Sequence, residues 1–284
     1  MEQLTIYAHA KVNLTLSVGA KRPDGYHAVE TVMTGVRLRD TVTLTTGGER
    51  DTLICDRAIT ERAEDNLCMR ALALFFRRTG LPRREGVAIR LDKRIPMQAG
   101  LGGGSSDAAA VLRGLRTLYA PTLTDDALEE LAAGLGSDVP YFIRGGTVLA
   151  TGRGERLTAL PAMPPCGYVI VKPEESYSTA AMYAAIDSAE MVHTGGSDAV
   201  QEGLRTGDLA MIAAGLGNDF QRVLPTGSAV PAIVAALRQQ GALNAQMTGS
   251  GSAVFGIYAS RQEAERAAAA LRGAYPMTFC AEPV

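Results

Sequence analysis

The chain has 284 residues, 46% of them hydrophobic, with 28 basic against 30 acidic side chains and a formal net charge of −2. That length is a prior for about two domains, and the balanced charge removes the general attraction that a nucleic-acid-binding surface needs. No apolar run reaches the ~18 residues that span a bilayer, Met1-Glu2-Gln3 lacks the basic start of a secretory signal, and Cys55, Cys68, Cys166 and Cys280 are too scattered for a zinc site or a disulfide framework. A cytoplasmic protein without nucleic-acid or membrane partners is expected.

From residue 5 to 18 the even positions Ile6, Ala8, Ala10, Val12, Leu14, Leu16 and Val18 are apolar and nearly all odd positions polar. This predicts one half-buried strand with Lys11 and Asn13 adjacent on its polar face. Arg22-Pro23-Asp24-Gly25 reads as a turn, with strands following near 29–36 and 41–45. A helix is predicted over 66–79, a strand over 87–91, and a helix from a Thr124 cap to about 134 with Asp125 and Asp126 in its first turn. Pro161, Pro164 and Pro165 mark the best linker, which divides the chain into domains 1–157 and 158–284. Beyond it come a strand over 167–172, a polar surface loop over 188–197, and a helix from Pro231 to about 241. A strand over 253–258, a helix opened by Ser260 with Glu263 at capping-box spacing, and a last strand over 277–281 complete the series. That order predicts an antiparallel sheet backed by helices, an α+β arrangement.

The most telling segment is Pro96-Met97-Gln98-Ala99-Gly100-Leu101-Gly102-Gly103-Gly104-Ser105-Ser106-Asp107. Regular structure loses roughly 1 kcal/mol at each glycine, so the stretch is a loop. Val111, Leu112, Leu115 and Leu118 then recur at helical spacing, which predicts a helix capped by Ser105 or Ser106. Bare backbone N–H groups ahead of a helix N-terminus bind anions, and a nucleotide phosphate is the natural one here. The segment lacks the Gly-Lys-Ser/Thr ending of a Walker A loop. It also fails the dinucleotide fingerprint, with Ser105 at the last glycine position and only first-turn acids about twenty residues on. The sharp apolar flanks oppose a flexible linker.

Other candidates each carry a plainer reading. Asp138, in Gly136-Ser137-Asp138-Val139-Pro140, either orients a reacting hydroxyl or caps a short helix containing Pro140. Lys11 is either solvated or the partner of such a carboxylate, and Arg22-Pro23-Asp24-Gly25-Tyr26-His27 is a hairpin turn or a recognition element. Asn66 is an N-cap or a nucleotide contact. Lys93 reads as a surface lysine that could instead approach a nucleotide, and Asp107 as a metal contact or, equally, a helix-dipole acid.

Pro96-x-x-x-Gly100-Leu101-Gly102-Gly103-Gly104-Ser105-Ser106-Asp107-Ala108-Ala109 resembles the ATP-binding motif of the GHMP kinases. The triple glycine and Ser-Ser-Asp are most similar to the isoprenoid-pathway branch of that family. The resemblance covers nearly the whole chain and implies an N-terminal nucleotide-binding α/β domain, a C-terminal ferredoxin-like domain and an active site in the cleft between. It implies ATP and Mg²⁺, phosphorylation of the 2-hydroxyl of a cytidylyl diphospho-methylerythritol, and a monomer or homodimer. ATP would be held by Asn66 and by Pro96, Met97, Gln98, Ala99, Gly100, Leu101, Gly102, Gly103, Gly104, Ser105 and Ser106. Gly-Ser-Asp-Val-Pro matches the family segment whose aspartate is the general base, here Asp138. Lys11 and Asn13 match its Ala-Lys-x-Asn strand, Lys11 as the partner of Asp138 and Asn13 on the substrate. Tyr26 would stack on the cytosine and His27 bond its edge, with Tyr183 or, in competition, Tyr177 closing the other face. Thr179, and Gly249, Ser250 and Gly251 of the third family motif, would line the substrate. No metal ligand is identified, which leaves Mg²⁺ to phosphates, Ser105 or water. A GHMP kinase for another small alcohol and a non-catalytic nucleotide sensor stay open.

Overall fold

The alternating N-terminal segment forms two strands in the computed structural model, which describes residues 1–57, 60, 62–83, 85–189 and 196–284. These are β1 (Gln3–Asn13) and β2 (Thr15–Lys21), broken at Leu14. Exposure alternates only up to Ala10. Lys11, Asn13 and Thr15 are buried like their apolar neighbours, because each polar group there finds a partner. The two strands expected next are one, β3 (His27–Gly48). Alternation runs unbroken through its charged middle: Arg37 and Arg39 face water while Leu38 and Asp40 face inward.

The remaining elements are β4 (Thr52–Cys55), α1 (Leu67–Thr79), β5 (Gly86–Asp92), α2 (Gly103–Tyr119), α3 (Asp125–Ala133), α4 (Tyr141–Arg144), β6 (Thr147–Thr151), β7 (Arg156–Ala159) and β8 (Gly167–Val171). After them come α5 (Thr179–Ser188), α6 (Asp198–Thr206), α7 (Leu209–Ala214), β9 (Gly217–Asn218), α8 (Val230–Gln239), β10 (Asn244–Met247), β11 (Val254–Tyr258), α9 (Arg261–Leu271) and β12 (Thr278–Ala281). Three of the expected caps form, and so does the expected proline start of α8. The side chains of Asn66, Thr124 and Ser260 accept from Cys68, Ala127 and Glu263 N–H, and α8 carries a proline in its first turn. The surface loop expected over 188–197 falls mostly on residues 190–195, outside the described residues; Ser188 itself ends α5.

By packing, the chain falls into two compact units. The first is Met1–Ala10, Arg39–Met97 and Gly102–Gly145; the second is Lys11–Leu38, Gln98–Leu101 and Gly146–Val284. In the first unit the C-terminal half of β3 runs antiparallel to β5, and β4 adds parallel to β5. Helices α1 and α2 bury Leu72, Phe75, Val111, Leu112 and Leu115, with Val42, Leu44, Ile89 and Leu91 from the strands. Each such side chain contributes about 1.5–3 kcal/mol relative to exposure.

In the second unit β3 pairs antiparallel with β2 and β6, β6 pairs with β7, and the two-residue β9 lies parallel to β2. A separate sheet, in the order β10-β11-β8-β12, is antiparallel throughout. Helices α8 and α9 supply Ile233, Leu237, Ala264 and Ala268 to the core that also holds Val169, Val171, Met247, Val254 and Tyr258. This is the helix-backed antiparallel layer expected of the C-terminal half. Among the described residues no helix is long and apolar enough to cross a membrane.

Candidate active site

In the first unit the glycine segment enters α2 differently from expectation. The N-cap is Gly102, in the left-handed region at φ 71°, and no side chain caps the helix. Ser105 and Ser106 therefore lie inside the first turn. Ser106 N–H already bonds Gly102 C=O, and its hydroxyl donates to His9 C=O at 2.7 Å, which anchors α2 to β1. A glycine cap leaves no side chain over the helix end, so the amides of Gly103, Gly104 and Ser105 face outward at the positive end of the dipole. Gly104 is exposed, Ser105 half-buried, Pro96 buried and Met97 exposed. Asn66 is buried as the cap of α1, its Oδ1 accepting from Cys68 N–H at 2.9 Å.

Lys93 is not a surface residue. Its ammonium is almost fully buried between the carboxylates of Asp40 and Asp107, 2.7 Å from the latter. Burial works against the charge, yet Asp107 and Asp40 hold the ammonium above its ordinary value. Burial pushes the Asp107 carboxyl up, to about 7, despite Lys93 beside it. Asp107 thus serves this pair and not only the helix dipole. Asp138 sits half-buried in the turn before α4, whose N-cap is Pro140; no side chain caps that helix. The hydroxyl of buried Tyr141 is raised well above its ordinary value by burial and, secondarily, by the Asp138 charge.

In the second unit three distant segments converge. Lys11 Nζ donates to Asn13 Oδ1 at 2.5 Å, Asn13 Nδ2 donates to Thr31 Oγ1 at 2.8 Å, and the Thr248 hydroxyl accepts from Asn13 N–H at 3.0 Å. Thr248 Oγ1 also reaches Gly100 C=O at 3.4 Å. Lys11 N–H donates to Leu101 C=O, and Ala253 N–H to Ala99 C=O. The segments are pressed together at Gly100, where a Cβ would stand 2.1 Å from Thr248 O and φ is +73°. So Lys11, Asn13, the Ala99–Leu101 backbone and the Thr248-Gly249 turn form one cluster. Asn218, which no motif flagged, clasps that turn by donating to the carbonyls of Met247 and Gly249 at 2.8 and 2.9 Å. Thr179 and Ser250 share a hydrogen bond at 3.0 Å.

The Tyr26-His27 turn belongs to the same unit. Tyr26 is exposed, its ring 4.9 Å from the Arg153 guanidinium, while its N–H bonds Asp24 Oδ1 at 3.1 Å. His27 is buried. Its Nε2 donates to Asp187 Oδ1 at 2.7 Å, and its ring stacks on Tyr183 with centroids 5.0 Å apart and 15° between planes. Hydrogen bonds from Lys21 and then His27 hold the Asp187 carboxyl below the usual range. Tyr183 in turn meets Phe220 edge-on. Tyr177 is placed elsewhere, its hydroxyl bound to Glu175 and Ser228 and its ring against Gly251. Sequence reasoning missed Asp187, Asp40 and Arg153, for which no local motif gives a signal.

A helix N-terminus stripped of side chains, and glycine turns packed around a buried lysine and asparagine, define a phosphate-handling protein. The model of the GHMP kinases N terminal domain matches residues 66–146, and that of the GHMP kinases C terminal matches 200–276. The chain belongs to the GHMP kinases. Among its relatives are proteins named 4-diphosphocytidyl-2-C-methyl-D-erythritol kinase: one from Moorella thermoacetica is 41% identical, with 98% of each chain covered, and one from Caldanaerobacter subterraneus subsp. tengcongensis is 38% identical, with 99% of this chain and 97% of the other covered. A crystal structure of 4-(cytidine 5'-diphospho)-2C-methyl-D-erythritol kinase superposes with a TM-score of 0.82 at 35% identity, covering 99% of both chains. The family and the two-domain GHMP fold expected from the glycine motif are borne out.

Proposed function

We infer that the protein transfers the γ-phosphoryl group of ATP to the 2-hydroxyl of 4-diphosphocytidyl-2-C-methyl-D-erythritol, giving the 2-phosphate and ADP in the non-mevalonate route to isoprenoids. The observation that carries this reading is end-to-end similarity to kinases of that name.

Phosphoryl transfer has a loose transition state, so the protein's task is positioning and charge balance. The Gly103, Gly104 and Ser105 amides are the proposed receivers of phosphate oxygens, and the Gln98–Leu101 backbone and the Gly249-Ser250-Gly251 turn are proposed ligand contacts in their own unit. Asn66, Pro96, Met97 and Ser106 line or support the nucleotide. Asp138 is the proposed base that orients the acceptor hydroxyl and takes its proton, and Lys11 the proposed catalytic cation. Asn13 and Thr179 contact the substrate. Tyr26 supplies a ring face for the cytosine, and Tyr183 supports His27 from the other side.

His27 is the candidate for base choice: its bond to Asp187 Oδ1 and its stack on Tyr183 fix the ring in one orientation, and a fixed hydrogen-bonding edge is how a site selects one base. Sequence positions 1–157 and 158–284 are the proposed N- and C-terminal family domains, each matched segment lying on its own side of that division.

Mg²⁺ supplies charge neutralisation at the β- and γ-phosphates. Among the described residues no group of three or more His, Cys, Asp or Glu could hold a metal ion. Mg²⁺ would then be held by nucleotide phosphates, Ser105 or water, in keeping with the usual habit of that ion.

The test is mass detection of a phosphorylated product from the cytidylyl substrate with MgATP, beside homoserine and mevalonate. The reading requires product from the first alone. Phosphorylation of another alcohol, or ATP binding without any product, replaces it with one of the two alternatives.

A further inference from the structure

The Lys93 cluster is a poor device for stability alone, since buried ions are costly and apolar replacements are often as good. One ammonium answers two carboxylates, and Asp107 Oδ1 is buried without a hydrogen-bond partner. What the cluster has is position. Asp40 Oδ1 accepts the backbone N–H groups of Arg94 and Ile95, at 2.5 and 2.8 Å, and so fixes the chain as it leaves β5. Asp56 Oδ1 accepts Lys93 N–H at 3.0 Å and fixes the preceding step. Asp107 is the fifth residue of α2, just past its first turn. A Cβ on Gly103 would lie 3.4 Å from Lys93 Nζ and 3.0 Å from Ile95 Cγ2, so the first residue of the helix rests on the tip of the lysine.

We propose that Lys93 is a positioning residue for nucleotide phosphates: its ammonium ties the carboxylate that sets the chain after β5 to the one on α2, and thereby holds the helix N-terminus in place. The proposal rests on the reading that this N-terminus receives ATP phosphates. It separates the lysine from direct contact with nucleotide, because the ammonium is spent on Asp40 and Asp107.

The test uses the full chain with Lys93→Met and Asp107→Leu, reading MgATP affinity by calorimetry together with kcat, KM and melting temperature. The two substitutions change the buried charge in opposite directions. Met leaves two uncompensated carboxylates under the helix, whereas Leu leaves a balanced Lys93–Asp40 pair; both cut the tether. Positioning predicts that Kd and KM for ATP rise about tenfold in both variants while kcat at saturating ATP stays within about threefold, with Lys93→Arg recovering part of the loss. Opposite shifts in the two variants overturn the proposal in favour of a simple field effect. Unchanged KM with a kcat that falls alongside melting temperature overturns it in favour of a structural role. Should Lys93→Met fail to fold, Asp107→Leu carries the test, since it removes the acceptor of the tether, and an unchanged Kd there overturns the proposal. Wild type that binds no MgATP overturns the underlying reading as well, which distinguishes the two failures.

Discussion

Gly104→Ala should stabilise this protein and damage it at the same time. Gly104 lies in the first turn of α2, has an ordinary helical backbone, and would place a Cβ no nearer than 3.7 Å to another atom, the Leu67 Cδ1. Replacing a helical glycine by alanine in open space stabilises by about 0.5–1 kcal/mol, which raises the melting temperature by about 1–4 °C in a chain of this size. The same methyl stands on the exposed face of the turn, where phosphate oxygens must close on the amides. Losing one charge-assisted N–H···phosphate contact costs about 1.5–3 kcal/mol, or roughly 10–100-fold in KM for ATP. Thermal unfolding without nucleotide and steady-state ADP release, on one preparation, measure both. A variant with raised melting temperature and unchanged KM would refute the argument, because the bare helix end would then have no task.

Asp138→Asn should lower single-turnover phosphoryl transfer by about 10²–10⁴-fold while MgATP still binds; near-normal rates would remove Asp138 from the reaction. Asp187→Ala frees the His27 proton and should raise KM for the cytidylyl substrate about tenfold without changing KM for ATP, a split that initial-rate kinetics resolves. For Asp107 the folded-state pKa is raised, so its stabilising contribution is full below about 4 and is lost as pH rises towards about 7. Urea midpoints of Asp107→Asn and wild type should therefore diverge from pH 4 to 7, with the variant gaining relative stability; parallel profiles would contradict the burial argument.

Local signals were readable wherever the chemistry is local. Asn66, Thr124 and Ser260 cap helices because a short oxygen-bearing side chain reaches an amide two or three residues on, and sequence contains all of that. The glycine segment announced a helix N-terminus for the same reason. The misreadings were charges whose partners lie far along the chain. Lys93 looks like any surface lysine until Asp40, 53 positions away, is folded beside it. Asp40 lies between the two strands expected near 29–36 and 41–45, which are one strand. Lys11 and Asn13 sit on a polar face that would be solvated in an isolated hairpin, but Thr31 and Thr248 cover them. Ser105 and Ser106 were natural cap candidates by residue type; the left-handed Gly102 ended the contest, since a backbone conformation overrides a side-chain preference.

The clasp between Ala99–Leu101 and Thr248–Ala253 also fixes when the site can exist during biosynthesis. At roughly 5–20 residues per second, a ribosome delivers Ala253 about 8–30 s after Gly100. Throughout that interval the glycine segment has neither the Thr248 hydroxyl nor the Ala253 amide to hold it. Strand β2 likewise waits for β9. On the proposed reading of the glycine segment, nucleotide binding is thus a late property of the nascent chain, and a quality mark for its last third. A product truncated before residue 248 keeps every letter of the ATP motif and lacks the structure that makes it one.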